Sequence, residues 1–430
     1  MRWCASCFTA TPETWLADQP GRAHGGRARA PLAGIRVIEV GNYMAGPFCG
    51  MQLADLGAEV IKVERPDGGD QVRSSAPLIE GEGSAFMRLN RNKRSIALDL
   101  KSARGKEVFR KLVERADVVV ENLRPGTMAD LELDYERLRR LNPGLVYVAA
   151  SGWGQDGPLR DRPGMDIMAQ ARSGLMSITG TRGGDPVKVG VPICDLVCAL
   201  YAALAAVAAL HARRETGAGQ LIDVSLLEAG VSFAIWEAGL FFATGEIPQP
   251  SGSAHQNAAP YQAFRASDGW LTIGATTKYN WTAMCMALGL SKLLEDTRYA
   301  DANLRHEHRE ALVASIEEIT IRKPAAHWLG VLDEAGVPCA PLQDFGQVFT
   351  DPHLLARDYF WDAPHTTAGT VRQLGSPMRF SRTPARRDRA APLLGEDSAA
   401  VLAELGYDAA ETGSMLDQKV VGAPRRSRRE

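Results

Sequence analysis

One aspartate stands where this chain could do covalent chemistry. Asp166 follows Pro163 and Gly164 and precedes an apolar, small-residue run that extends to Gly180. An aspartate directly before an apolar helix is first of all an N-cap, because its carboxylate accepts hydrogen bonds from backbone N–H groups that lack helical partners. The same carboxylate at a helix N-terminus is also a candidate nucleophile. The residues around Asp166 leave both interpretations open.

Other catalytic side chains are missing from this part of the sequence. No histidine occurs between His24 and His211, and no Gly-x-Ser-x-Gly motif is present, which excludes a serine-hydrolase triad and a histidine general base there. Cys4 and Cys7 form a C-x-x-C pair without a second pair, which argues against a zinc site. Carboxylate, amide and backbone groups therefore have to do the chemistry.

Basic residues at predicted loops suit a phosphate-rich ligand, because arginine makes bidentate contacts with phosphate and lysine supplies a point charge. They are Arg65, Arg91, Lys93, Arg94, Lys101 and Arg124. For any single one, a solvated surface charge is the simpler interpretation. The run at residues 90–95, with three charges before a strand, is the more suggestive.

The elements that must position these residues follow a strand–helix rhythm. Val- and Ile-rich strands are predicted at 35–40, 59–64, 96–100, 117–120 and 145–149, with helices at 48–56, 103–114 and 135–141. This rhythm predicts an α/β fold with a parallel sheet covered on both faces. Ligands of such sheets bind beyond the carboxyl ends of the strands, where the loops 41–47, 64–70, 121–126 and 151–166 lie. Gly41, Gly46 and Gly50 are too widely spaced for G-x-G-x-x-G, which disfavours a nicotinamide site.

Length and composition set the domain organisation. The 430 residues are 45% hydrophobic and 23% charged, with net charge -2, so no nucleic-acid or anionic-membrane partner is expected. Residues 191–210 are apolar but contain Asp195, and we expect a core helix rather than a membrane span. Seven irregularly spaced cysteines indicate a reduced, cytoplasmic protein. The predicted parts are an extension at 1–30, a large domain at 31–225, a small domain at 226–340 with a lid loop at 245–260, a C-terminal segment at 341–405 that returns to the large domain, and a tail at 406–430.

Short motifs in order from residue 31 to about residue 400 carry a resemblance to a known family. They include L-A-D-L-G-A-E-V-I-K-V-E-R at 53–65, N-R-N-K-R-S at 90–95, V-E-N-x-R-P-G at 120–126, S-G-W-G-Q-x-G-P at 151–158, P-G-x-D at 163–166 and P-Y-Q-A-F at 260–264. The chain resembles the class III CoA-transferases (CaiB/BaiF), which include formyl-CoA transferase, carnitine CoA-transferase and 2-methylacyl-CoA racemase. It is most similar to dicarboxylate-using members such as succinyl-CoA–glutarate transferases.

The resemblance implies a fold, a reaction and a set of site residues. The fold would be a Rossmann-like large domain and a smaller α+β domain in an interlocked homodimer. The reaction would move CoA from an acyl-CoA, such as succinyl-CoA, to a carboxylic acid, in particular a dicarboxylic acid, with Asp166 as the nucleophile that forms an aspartyl-CoA thioester. CoA is a substrate here, and neither a permanent cofactor nor a metal is expected. The implied CoA contacts are Met44, Ala45, Arg65, Leu98, Lys101, Asn122, Leu123, Arg124 and Trp153.

Departures from the family pattern bear on the substrates and on the alternatives. Met44 stands where formyl-CoA transferase has glutamine, and Ser251 and Ser253 interrupt its glycine run, which argues against oxalate exchange. Asp130 replaces an arginine that contacts a CoA phosphate, with Arg124 or Arg139 as the expected substitute. Met165 stands where racemases carry histidine. A 2-methylacyl-CoA racemase and a non-catalytic acyl-CoA-binding protein remain the alternatives.

Overall fold

The computed structural model describes residues 30–424, which form two compact units. Within these residues, unit 1 contains 30–165, 194–229 and 358–424, and unit 2 contains Asp166–Ile193 and Gly230–Arg357. The extension predicted at 1–30 lies outside the described residues except for Ala30. Residues 166–193 differ from the prediction that placed them in the large domain. They belong to unit 2, where Gly252 N donates to Gly180 O at 2.8 Å.

The strands and helices are numbered in chain order. The strands are β1 (Arg36–Val40), β2 (Glu59–Glu64), β3 (Leu78–Ile79), β4 (Glu82–Gly83), β5 (Lys93–Ala97), β6 (Val118–Glu121), β7 (Val146–Ser151), β8 (Leu221–Ser225), β9 (Tyr261–Ala266), β10 (Gly269–Gly274), β11 (Cys339–Pro341), β12 (Phe360–His365) and β13 (Gly369–Leu374). The helices are α1 (Ala45–Asp55), α2 (Ser84–Leu89), α3 (Ala103–Glu114), α4 (Thr127–Asp130), α5 (Tyr135–Leu141), α6 (Asp166–Arg172), α7 (Leu175–Ile178), α8 (Ile193–Thr216), α9 (Leu226–Val231), α10 (Ile235–Thr244), α11 (Lys278–Ala287), α12 (Ala302–Glu307), α13 (Arg309–Thr320), α14 (Ala325–Glu334), α15 (Phe345–Val348), α16 (Pro352–Ala356), α17 (Ser398–Glu404) and α18 (Ala409–Asp417). Short 3-10 helices lie at Gln71–Ser74, Ser291–Leu294 and Thr297–Tyr299.

Unit 1 is built on a six-stranded sheet in the order β5-β2-β1-β6-β7-β8. Every neighbouring pair in this sheet is parallel, as the strand–helix rhythm predicted. Successive side chains of a strand point to opposite faces: Val37 packs into one buried cluster and Ile38 into the other. Helices α3, α5, α17 and α18 contribute to the cluster of Ile38, whereas α1 and α8 contribute to that of Val37. Both faces of the sheet are therefore covered.

Helix α8 is apolar along most of its length. Among the described helices, it alone is long and apolar enough to cross a membrane by length and composition. Its alanine stripe, which includes Ala199, Ala202 and Ala206, lies in the core cluster against the sheet, at the helical spacing that places residues on one face. On the remaining surface, Leu200 and Leu204 are exposed.

Unit 2 has its own hydrophobic core. The antiparallel sheet β11-β10-β9 packs with α11, α13 and α14 around a cluster that includes Phe264, Trp281 and Leu332. Helix α10, with the sequence IWEAGLFFAT, has no buried residue in the single chain. An apolar helix without a buried face lacks the packing that normally stabilises helices in proteins.

The prediction of a tail at 406–430 is wrong for residues 406–424, the part that the structure describes. Helix α18 begins after Asp408, which forms a capping box with Glu411. Met415 and Val421 are buried in the core of unit 1, and Val421 pairs with Leu98 in an antiparallel bridge. These apolar side chains anchor the segment to the sheet. The basic end at 425–430 lies outside the described residues.

Buried ion pairs account for the basic run at residues 90–95. Lys93 is fully buried and bonds Glu39 at 2.7 Å, and Arg91 bonds Asp55 at 2.6 Å. Arg94 is paired with Glu59 and Glu404. The prediction that these three residues face a phosphate ligand is wrong, because they lie before and at the amino end of β5, whereas ligand loops of a parallel sheet follow the carboxyl ends.

Glu39, the partner of Lys93, also forms an ion pair with Lys62 in β2. Lys62, also fully buried, bonds Glu39 at 2.8 Å and Asp70 at 3.0 Å. Burial alone would lower the pKa of Lys62, but Glu39 and Asp70 outweigh it, so the pKa is raised. At Lys93 burial prevails over Glu39 and lowers the pKa to about 8. Glu39 is therefore the shared counter-charge of two buried lysines.

Glu39→Gln should unfold far more easily than the wild type, because it leaves Lys62 and Lys93 buried without their shared counter-charge. We expect a loss of about 3–5 kcal/mol in the free energy of unfolding, measured by urea titration. The matched control is Glu59→Gln, which removes a half-exposed partner of Arg36 and Arg94 and should cost less than about 1 kcal/mol. Equal losses for the two variants would contradict this account.

Candidate active site

The parallel sheet brings the loops of unit 1 to one edge. Strands β1, β2, β5, β6 and β7 all end there, and the loops that follow carry every predicted CoA contact. Strand direction alone therefore gathers residues that are far apart in sequence. The side chains of these residues nevertheless differ in their exposure and in their hydrogen-bond partners, and so in whether they can contact a ligand.

Asn122 clasps the loop after β1. Its Oδ1 accepts from Asn42 N and its Nδ2 donates to Asn42 O, both at 2.9 Å. Gly41 and Gly46 lie against the same amide, since a Cβ would come within 2.9 Å and 2.8 Å of Oδ1. The predicted ligand residue thus also positions a neighbouring loop, a role that its sequence motif did not reveal.

The clasped loop leads into the N-terminus of α1. Met44 is half-buried and Ala45, the first residue of α1, is buried. The first turn of α1 has no acidic residue, and Met44 makes no side-chain cap. Free amides and the helix dipole at such an end favour an anion or an oxyanion.

Three predicted cations remain available at this edge. Arg65, Lys101 and Arg124 are exposed, and Arg65 Nε donates to Gly69 O at 3.3 Å. Exposed cations of this kind suit phosphate groups. Asp130, the position of the replaced family arginine, is also exposed, at the end of α4.

The side chain of Leu98 is not available for the predicted CoA contact. Its side chain is 1% exposed and belongs to the hydrophobic core, and its N–H donates to Glu64 O at 2.7 Å. The apolar side chain is held by packing and is closed to a ligand. Leu123, by contrast, is partly exposed next to Asn122.

Trp153 organises the loop that leads to Asp166. Its Nε1 donates to Pro163 O at 3.2 Å. Gly164 lies so close to this ring and to Gly152 that a Cβ would come within 2.9 Å of Nε1 and 3.0 Å of the Gly152 Cα. The Pro-Gly turn before Asp166 is therefore fixed by close packing that only glycine allows.

Asp166 is the first residue of α6 in unit 2 and is partly exposed. Its Oδ2 accepts a hydrogen bond from Gln170 Nε2 at 2.6 Å. Gln170 is fully buried, and its Oε1 accepts from Val189 N at 2.9 Å. Sequence analysis did not single out Gln170, although the spacing of four residues places it on the same helix face as Asp166.

Unit 2 also carries the loop at residues 251–255. Gly252 N donates to Gly180 O, and Ala263 N donates to Ser253 Oγ at 3.1 Å. The His255 ring stacks on Tyr261 at 5.0 Å between centroids. Its Nδ1 accepts from Asn257 N at 3.3 Å.

Within residues 30–424, no group of three or more His, Cys, Asp or Glu side chains could hold a metal ion.

Glu121 is a buried acid directly before Asn122. Burial raises the pKa of Glu121 to about 8, and the nearby Asp223 adds to this rise. The hydrogen bond that Leu123 N donates to Glu121 Oε2, at 2.7 Å, acts in the opposite direction. A mostly neutral carboxyl group therefore orders the turn at Leu123 at neutral pH.

Glu121→Gln should become more stable relative to the wild type as the pH rises. Folded Glu121 keeps a proton up to about pH 8, which the unfolded chain releases near pH 4.5, so the wild-type free energy of unfolding falls over that window. Glutamine stays neutral and still accepts from Leu123 N. In urea titrations the difference in the free energy of unfolding between Glu121→Gln and the wild type should grow by up to about 1.4 kcal/mol per pH unit. A stability difference between Glu121→Gln and the wild type that does not change with pH would contradict the assignment.

The chain has extensive similarity to known proteins. The model of CoA-transferase family III matches residues 32–398. The chain is 36% identical over 393 residues to succinyl-CoA:glutarate CoA-transferase of Homo sapiens, covering 91% of this chain and 90% of that protein. It is 38% identical over 387 residues to succinyl-CoA:mesaconate CoA-transferase of Haloarcula marismortui, covering 88% and 97%.

A solved structure gives the same result. The crystal structure of a CAIB/BAIF family protein from Brucella suis superposes with a TM-score of 0.80 at 38% identity, covering 88% of this chain and 100% of that chain. The predicted resemblance is thereby confirmed: the chain belongs to CoA-transferase family III.

Proposed function

We propose that this enzyme transfers CoA from succinyl-CoA to a second dicarboxylic acid through Asp166. The observation that carries the substrate class is the identity of 36–38% to relatives named for succinyl-CoA with glutarate or mesaconate. Asp166 supplies the nucleophile because it combines a partly exposed carboxylate with a helix N-terminus and lies in a stretch, residues 25–210, that contains no histidine.

The proposed reaction exchanges one carboxylate for another in balanced steps. An oxygen of Asp166 attacks the thioester carbonyl, the C–S bond breaks, and a mixed anhydride and CoA thiolate form. The thiolate then attacks the aspartyl carbon, and the donor acid leaves with the bridging oxygen. The acceptor carboxylate attacks the aspartyl-CoA thioester, and the thiolate returns to the acceptor acyl carbon. Covalent intermediates replace one difficult exchange by easier steps.

The sheet edge of unit 1 is the proposed CoA site. Arg65, Lys101 and Arg124 would bind the phosphates as exposed cations, and Asn122 and Leu123 would contact the pantetheine. The clasp between Asn122 and Asn42 supports this assignment, because it holds the loop with Met44 and Ala45 in one conformation. A preformed loop lowers the ordering cost of binding.

In the proposed reaction, Met44 and the loop at 251–255 determine which acceptor acid is used. Serines at 251 and 253 restrict this loop more than glycines would, and its bonds to Gly180 and Ala263 hold it in place. Screening glutarate, mesaconate, citramalate and oxalate against succinyl-CoA, with identification of the product, tests the acceptor class. We expect dicarboxylates longer than oxalate to react best.

Asp166→Asn should abolish CoA exchange, because the amide is a poor nucleophile. Conversion of succinyl-CoA and glutarate should fall by at least about 1000-fold, while the thermal melting temperature stays near that of the wild type. Asp161→Asn is the matched control, since Asp161 is an exposed acid in the same loop, and it should retain full activity. Appreciable exchange by Asp166→Asn would refute the proposal. Exchange of the α-hydrogen without CoA transfer would favour a racemase instead.

We further propose a homodimer, which the exposed apolar helix α10 supports. Phe242 is 82% exposed, Ile235 74% and Trp236 58% in the single chain. Monomeric proteins rarely leave such contiguous apolar surface in water, whereas homodimer interfaces are rich in it.

Sedimentation of the wild type should give twice the mass of one chain. Phe242→Asp buries a charge in the proposed interface and should shift the protein toward the monomer at micromolar concentration. Glu246→Gln, an exposed polar change just after α10, should leave the dimer intact. A monomeric wild type, or a Phe242→Asp variant that is as dimeric as the wild type, would contradict the proposal.

A further inference from the structure

We propose that Gln170 is a catalytic residue: it holds Oδ2 of Asp166 as the carbonyl oxygen of the acylated aspartate and stabilises the oxyanion that develops there. This inference rests on the proposed role of Asp166 as the nucleophile. It assigns a donor to the step in which the thiolate attacks the aspartyl carbon.

The orientation of the Gln170 amide is fixed by its surroundings. The side chain is fully buried, and Val189 N–H, which can only donate, bonds Gln170 Oε1 at 2.9 Å. The amide nitrogen therefore faces the opposite side, where it contacts Asp166 Oδ2 at 2.6 Å and Val191 O at 3.5 Å. Both partners are acceptors, so the two N–H groups of Gln170 have matching partners and a flipped amide would face acceptors with its oxygen.

A bond between side chains four residues apart also occurs as a simple helix-stabilising pair. Two features go beyond that interpretation. First, Gln170 is tied to residues 189–191, outside its own helix, so its position does not depend on Asp166 alone. Second, the amide nitrogen contacts Asp166 Oδ2 directly, at 2.6 Å, so the anchored donor faces the carboxyl group that reacts. An exposed helical pair would have neither the buried anchor nor a single orientation.

The bond distinguishes the two oxygens of the nucleophile during the reaction. A bridging anhydride oxygen is a weak acceptor, so the oxygen that keeps the Gln170 bond becomes the carbonyl oxygen of the mixed anhydride. When the thiolate forms its bond to the aspartyl carbon, the electron pair of this carbonyl moves to Oδ2. Gln170 Nε2–H faces the negative charge at that moment. Collapse of the adduct restores the carbonyl and expels the donor carboxylate with the bridging oxygen.

A preorganised donor of this kind acts mainly in the transition state. Removing a single oxyanion donor typically lowers kcat by roughly 100- to 1000-fold. The loss should appear in kcat and in kcat/KM alike, with the KM for succinyl-CoA nearly unchanged, because the free enzyme and the substrate complex have the same bond to Asp166.

The test compares Gln170→Met and Gln170→Glu with the wild type in steady-state exchange of succinyl-CoA with glutarate. Gln170→Met keeps the length of the side chain without the donor, and its kcat should fall by roughly 100- to 1000-fold at unchanged KM. In Gln170→Glu the introduced carboxyl donates only when protonated. Its activity relative to the wild type should therefore rise as the pH falls, a trend that a merely structural defect would not produce.

Gln373→Met is the control for the loss of a buried amide. Gln373 is fully buried, and its Nε2 donates to Met87 O in unit 1, so this variant should change the melting temperature but not kcat. Wild-type kcat in Gln170→Met, or a pH-independent activity ratio for Gln170→Glu, would overturn the inference while an inactive Asp166→Asn still upheld the nucleophile. Activity in Asp166→Asn would instead refute the nucleophile, and the inference with it.

Discussion

Glu39 holds two lysines that have no contact with solvent, and the loop of the candidate CoA site depends on this arrangement. Lys62 and Lys93 join β1 to β2 and to β5, and their ammonium groups also donate to Gly41 O at 2.8 Å and to Pro47 O at 2.7 Å. Gly50 leaves room for the carboxylate, since a Cβ there would lie 2.1 Å from Glu39 Oε2. Buried ion pairs contribute little net stability compared with apolar packing. We therefore interpret this network as a device that directs the backbone at 41–47, where Met44 and Ala45 lie.

The two units divide the proposed chemistry between them. Unit 1 presents exposed cations and a clasped loop at the carboxyl edge of a parallel sheet, an arrangement suited to a phosphate-bearing ligand. Unit 2 holds Asp166, the buried amide of Gln170 and the loop at 251–255, all tied together by hydrogen bonds within that unit. The proposed nucleophile is thus linked to Val189 of its own unit through Gln170. Preorganisation of this kind is what makes electrostatic stabilisation of a developing charge effective.

The parallel sheet and the family were predicted correctly, because strand periodicity and ordered motifs can be read from the sequence without knowing which residues are in contact. Prediction from the sequence failed where a residue's partner decides its role. The charges at 91–94 looked like phosphate ligands, yet Asp55, Glu39 and Glu59 bind them. Leu98 carried a family role but lies in the core. Gln170 was missed because its anchors, Val189 and Val191, are about twenty residues away and show no motif. The return of residues 409–421 to the core depended on a cap and a few apolar side chains in a segment that reads as a tail.

In the proposed reaction Asp166 carries the acyl group and CoA in turn, and an isotope label tests this role most directly. In the proposed sequence the acceptor carboxylate attacks the aspartyl carbon, so one of its oxygens stays on Asp166 after the thiolate returns to the acceptor. Turnover of succinyl-CoA with oxygen-18 glutarate, followed by digestion and mass spectrometry, should place the label in the peptide that contains Asp166. Unlabelled succinyl-CoA and glutarate provide the baseline. Product formation without label in Asp166, or with label on another carboxylate, would contradict the account.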